Sequence, residues 1–133
     1  MKLNYDCIRS VLFALEEHID IDDDLRIVYV SVENLFEQLP KYENKDILYT
    51  IEKLTEAGYI KSSIQYAGRM FNDGVIDGIT YRGHEFLESI RDNKIWGNVK
   101  RALSNVGTMS LPLILETAKG LAVNALQNVI KNQ

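Results

Sequence analysis

A single cysteine, Cys7, stands among 133 residues. One thiol forms no internal disulfide and builds no structural zinc site alone. Its surroundings, "NYDCIRSVLFAL", are helical and partly apolar, so it reads as a small buried hydrophobe rather than a redox sensor. No stretch approaches about 18 uninterrupted apolar residues, so no transmembrane helix is expected. The opening "MKLNYDCIRS" has no apolar run behind its lysine, so no secretory signal is read and a cytoplasmic location is expected. Excess positive charge is missing too. The net charge is −4, the wrong sign for a protein that holds nucleic acid by bulk charge alone.

Chemistry-bearing clusters are equally scarce. The eight glycines are scattered and form no phosphate-binding loop. Gly97 and Gly120 fall inside helical patterns, where glycine costs about 1 kcal/mol against alanine. Either close helix packing or a kink would account for them. "DIDDD" invites a calcium reading, with ligands at Asp20, Asp22 and Asp24. An EF-hand then needs glycine where Leu25 stands and glutamate where Ser31 stands, so a solvated acidic loop is expected. "HEFLE" offers His84 and Glu85, but a zinc-protease helix needs a second histidine where Glu88 stands. His18 lies among Glu16, Glu17 and Asp20 as a surface histidine. Nothing assembles a nucleophile, a base and an orienting group. The expectation is a non-enzymatic protein with no catalytic residue, cofactor, metal or evident small-molecule ligand.

What is present is periodicity. The length fits one domain with a real core. Ile8, Val11, Leu12, Leu15 and Ile19 recur at spacings of three and four, which predicts a helix over about 5–19 capped by Asn4. "RIVYV" reads as a short strand. Ser31 then caps a second helix, carried by Leu35, Phe36 and Leu39 and ended by Pro40. In "NKDILYTIEKLTEAGYIKSSI", Asn44 is the expected cap, and Ile47, Leu48, Ile51 and Leu54 share one face. Gly58 sits where a left-handed cap is needed. "YIKSSIQY" and "VIDGITY" predict a β-hairpin around a turn-rich "AGRMFNDG". Phe86, Leu87, Ile90, Ile95, Val99 and Leu103 continue as a helical pattern from Gly83, broken by "SNVGTMSLP". A last helix runs over about 112–131, with Ser110 and Pro112 at its start.

This order predicts an α+β, mainly helical fold: a winged helix-turn-helix with two additional C-terminal helices. The expected division is a winged-helix domain with its following helix over 1–107, and a C-terminal packing or partner element over 108–133. The segments "MKLNYDCIRSVLFALEE", "DILYTIEKLTEAGYIK", "VIDGITYRGHEFLESIRDNKIW" and "SLPLILETAKGLA" resemble a bacterial and phage family catalogued as a domain of unknown function, related to the YjcQ-like winged-helix proteins. The resemblance covers nearly the whole chain. It implies a winged helix in a prophage or mobile-element setting, and it implies no enzymatic activity.

Two functions are expected, in order. The first is a DNA-binding regulator. With Ile51 at the centre of the core face, the opposite face of the presumed recognition helix carries Lys45, Asp46, Tyr49, Glu52, Lys53 and Glu56, with Thr50 at its boundary. Lys45 and Lys53 suit phosphates, and Tyr49 and Thr50 suit phosphates or base edges. Lys61 and Arg69 join them from the wing. No arginine stands on the helix for guanine readout, and the acidic residues weaken affinity. The second is a protein-interaction module, either homodimeric or gripping a host factor as a phage-encoded inhibitor would. Its surfaces would be residues 111–130 and the acidic front, where residues 1–30 carry three basic and seven acidic groups. The last helix presents Asn124, Gln127 and Asn128 rather than lysines on its polar side, so no membrane partner is expected.

Overall fold

Asn4 starts the first helix, α1 (Tyr5–His18), by accepting the Cys7 N–H at 3.0 Å. In this computed structural model, which describes residues 1–107 and 109–132, α1 buries Cys7, Ile8, Val11, Leu12 and Leu15. Ser31 caps α2 (Val32–Gln38) by accepting from Asn34 N–H. Next comes α3 (Asn44–Glu56), with Ile47, Ile51 and Leu54 fully buried. Each such side chain contributes about 1.5–3 kcal/mol by leaving water. The cap of α3 is Glu43 rather than Asn44, and it makes no side-chain cap bond. Asn44 is instead the first helical residue.

The far end of α3 sets the direction of the chain. Gly58 takes φ 79°. Its N–H donates to the Thr55 carbonyl, and the Tyr59 N–H donates back to the Leu54 carbonyl at 2.9 Å. This paired closure needs a left-handed residue, which glycine supplies without strain. It delivers the chain into β4 (Ile60–Ala67), which pairs antiparallel with β5 (Met70–Ile79). Gly68 at φ 64° and Arg69 make a two-residue loop of the glycine-first kind. The strands therefore run further than the turn-rich composition of "AGRMFNDG" implies. Gly74 lies within β5 for packing, since a Cβ there would stand 2.8 Å from Val32 Cγ2. Register shifts after Lys61 and after Gln65 break the strict alternation. Ahead of them, at the junction of α3 and β4, Tyr59 and Ile60 are both buried.

"RIVYV" does not form one strand. It divides at Tyr29 into β2 (Ile27–Val28) and β3 (Val30–Ser31). The second piece joins the hairpin in a three-stranded sheet ordered β3-β5-β4. The first pairs with β1 (Asp20–Ile21), within the stretch whose acidity predicts a solvated loop. Asp22 organises the turn between them. Its carboxylate accepts from the N–H groups of Asp24 and Arg26, and Arg26 in turn reaches Asp22 and Asp24 at 3.1 Å each.

The helical pattern after Gly83 is two helices, α4 (Tyr81–Ile90) and α5 (Asn93–Val106). Asp92 interrupts it and caps the second by accepting from Ile95 N–H at 2.9 Å. Gly107, at φ 74°, ends α5. α6 (Leu111–Lys131) follows, with Ser110 as its cap. By backbone contacts the chain forms two compact units, Met1–His84 and Glu85–Gln133. In the second, Phe86, Leu87, Ile90, Val99 and Ile114 are fully buried. A Cβ on Gly97 or Gly120 would meet no atom within 4 Å, so close packing explains neither. The result is an α+β, mainly helical protein with small antiparallel sheets. No described helix is long and apolar enough to cross a membrane.

Candidate nucleic-acid interface

The outer face of α3 is set by its core face. Burying Ile47, Ile51 and Leu54 turns Lys45 and Glu56 to solvent and leaves Tyr49, Glu52 and Lys53 half-buried. Most of these groups are already engaged. Lys53 Nζ lies 2.7 Å from Glu56 and 5.3 Å from the centre of the Tyr49 ring. The hydrogen bond from Lys53 to Glu56 raises the ammonium above its ordinary pKa. Lys45 sits 3.3 Å from Glu43. Both pairs are solvent-exposed, where such bridges hold weakly and exchange readily for another anion.

Thr50 departs from the expected set. Placed at the boundary of the outer face by the sequence, it is 1% exposed. Its hydroxyl donates to the Asp46 carbonyl at 2.7 Å and lies 3.5 Å from Cys7 Sγ. The α1–α3 packing covers it, so Thr50 is a satisfied core residue and offers nothing to a ligand. Cys7 is wholly buried beside it, and burial pushes the thiol pKa up, away from a reactive thiolate.

The hairpin is tied to α3 at two points. Thr55 Oγ1 and Ser62 Oγ share a hydrogen bond of 2.7 Å. Tyr66 donates its hydroxyl to Glu52 Oε1 at 3.0 Å. Partial loss of solvent and then this bond to Glu52 raise the Tyr66 pKa. Phe71 packs edge-on against both Tyr66 and Phe36, joining the hairpin to α2. Lys61 is exposed next to the Thr55–Ser62 link, and Arg69 is exposed in the hairpin loop. Two hydrogen bonds thus join α3, which bears Lys45, Tyr49 and Lys53, to the hairpin, which bears Lys61 and Arg69. Asp46, Glu52 and Glu56 are interleaved with them. The Glu52–Tyr66 bond is not legible in the sequence, because 14 positions separate the partners.

His18 and His84 are both exposed. Among the described residues, no group of three or more histidines, cysteines or carboxylates is arranged to hold a metal ion.

A Haemophilus influenzae protein described as "Uncharacterized protein" is 26% identical over 130 residues, covering 98% of this chain and 99% of that protein. No solved structure matches the chain. A family model described as "Hypothetical protein (DUF2513)" matches residues 2–110, and on that match the chain belongs to the DUF2513 family.

Proposed function

We propose that this protein is a winged helix-turn-helix that binds DNA as a regulator, in a phage or mobile-element setting, with α3 as the recognition helix and the β4–β5 hairpin as the wing. The observation that carries this reading is the coupling of α3 to the hairpin. A rigid glycine cap and two side-chain bonds hold the outer face of α3 and the Arg69 loop as one unit. Lys45, Lys53, Lys61 and Arg69 then meet phosphates, and Tyr49 supplies a hydrogen bond to backbone or base. Interleaved carboxylates reduce bulk attraction, so affinity rests on a fitted site rather than on charge alone. The test is binding of purified protein to fragmented genomic DNA from its own source, at low and near-physiological salt. Enrichment of a few sites that survives the higher salt is expected. No retention, or retention that vanishes with salt, would overturn the reading.

A second reading, a homodimer through α6, is favoured by one observation. Val123, Leu126, Val129 and Ile130 are 51–62% exposed, and no residue of α6 beyond Leu121 is buried. Such a stripe commonly marks an interaction surface. Sedimentation of the full chain should show a concentration-dependent dimer. A monomer at high concentration would sink this assignment.

A further inference from the structure

We propose that the β1–β2 ribbon and the groove beside it dock an extended, basic segment of another protein, with an aliphatic side chain in the groove and lysine or arginine against Asp20 and Asp77. The ribbon is apolar where a solvated loop would be polar. Ile21 and Ile27 are direct cross-strand partners and are 62% and 60% exposed. Leu25 is 84% exposed at the turn and is held at φ 63°, a conformation that a leucine rarely adopts. Single exposed aliphatics are ordinary, but a paired and contiguous set is not.

Beside the ribbon lies an open groove of about 410 Å³, walled by Ile19, Ile21, Ile27 and Ile79, with Asp20 and Asp77 among its lining. One side of it is strand edge. β3 pairs with β5 only at Val75 and Ile76. Among the described residues, Asp77, Gly78 and Ile79 therefore have no strand partner on that side. An extended chain can add to such an edge through its backbone while alternate side chains fill pockets.

Charge selects the occupant. The first 30 residues carry seven acidic and three basic groups. Arg26 is held by Asp22 and Asp24, so it does not neutralise Asp20 or Asp77. DNA and anionic lipid would meet like charge here. A second copy would set one acidic turn, Asp22–Asp24, against another. A basic, aliphatic polypeptide satisfies both the groove and its carboxylates.

The test uses the full chain with labelled isoleucine methyls, titrated with a short peptide of alternating lysine and leucine. Two comparison peptides replace lysine by glutamate or leucine by serine. The lysine–leucine peptide should shift the Ile19, Ile21, Ile27 and Ile79 methyls, and the comparison peptides should bind much more weakly. Asp20→Asn with Asp77→Asn should weaken binding about tenfold or more. Ile27→Thr should do the same, with the free methyl spectra confirming that both variants are folded. Shifts confined to other methyls would overturn the proposal, as would equal binding of the lysine–serine peptide or unchanged affinity in the folded variants. Concentration-dependent shifts of these methyls without peptide would reassign the face to a second copy and overturn it. So would equal shifts with duplex DNA or anionic vesicles.

Discussion

Replacing Gly83 by alanine is expected to remove about 3 kcal/mol of folding stability, or to prevent folding. A Cβ at Gly83 would stand 2.0 Å from the Tyr59 carbonyl oxygen and 2.7 Å from Ile79 Cγ2. The first contact is with backbone, and that backbone cannot give way cheaply. The same carbonyl accepts from Thr80 N–H at 3.0 Å, and the Tyr59 N–H closes the end of α3. Tyr59 itself is 1% exposed, with Arg82 stacked over its ring. The methyl must therefore push the start of α4 away from the start of β4. Urea unfolding measures the effect. Gly78→Ala is the control, because a Cβ there meets nothing within 4 Å. A Gly83→Ala variant with the wild-type midpoint would show that the close approach is not needed.

The second large effect concerns DNA. Lys53→Glu should lower affinity for a retained genomic site by about tenfold or more. It should also reduce the slope of log affinity against log salt by about one unit, as expected for one lost phosphate contact. Three glutamates, at positions 52, 53 and 56, would then crowd one turn of α3. Thr50→Val is the matched control. Its hydroxyl is buried against Asp46, so DNA affinity should hold even if stability shifts. Titrations at several salt concentrations would decide. Unchanged affinity in Lys53→Glu would reject the α3 face as the contact surface.

Misplaced expectations fall into two kinds. A local signal misleads at Asn44, a favoured cap residue that becomes the first helical residue while Glu43 takes the cap position without a side-chain cap bond. Another misleads in "NDG", whose turn-like composition gives way because Gly68–Arg69 closes a two-residue loop that pulls these residues into β5. The apolar spacing from Gly83 predicts one continuous helix because it runs on across the break. The stop lies in Asp92, whose side chain caps the next helix. The other kind is nonlocal. Thr50 sits at the edge of the α3 core face, and only the arrival of α1, with Cys7 against its hydroxyl, decides that it is inside. The β1 strand exists only because Asp20 and Ile21 find Val28 and Ile27 across a turn, and neither two-residue stretch would be a strand alone.

Features that depend on neighbours a few positions apart are legible in the chain alone. They include the existence of α1, α2, α3 and α6, the core faces of α1 and α3, the caps at Asn4, Ser31 and Ser110, the left-handed stop at Gly58 and the presence of a hairpin. Spacing, capping groups and backbone freedom act over one or two turns, and all are written in the local string. Which surfaces exist is settled by folding. Packing put Thr50 in the core and tied Glu52 to Tyr66. It pressed Gly83 against Tyr59, and it opened a groove between the β1–β2 ribbon and the end of β5. Each of these requires segments distant in the chain to meet, and a contact between distant segments is set by the packing of the whole unit.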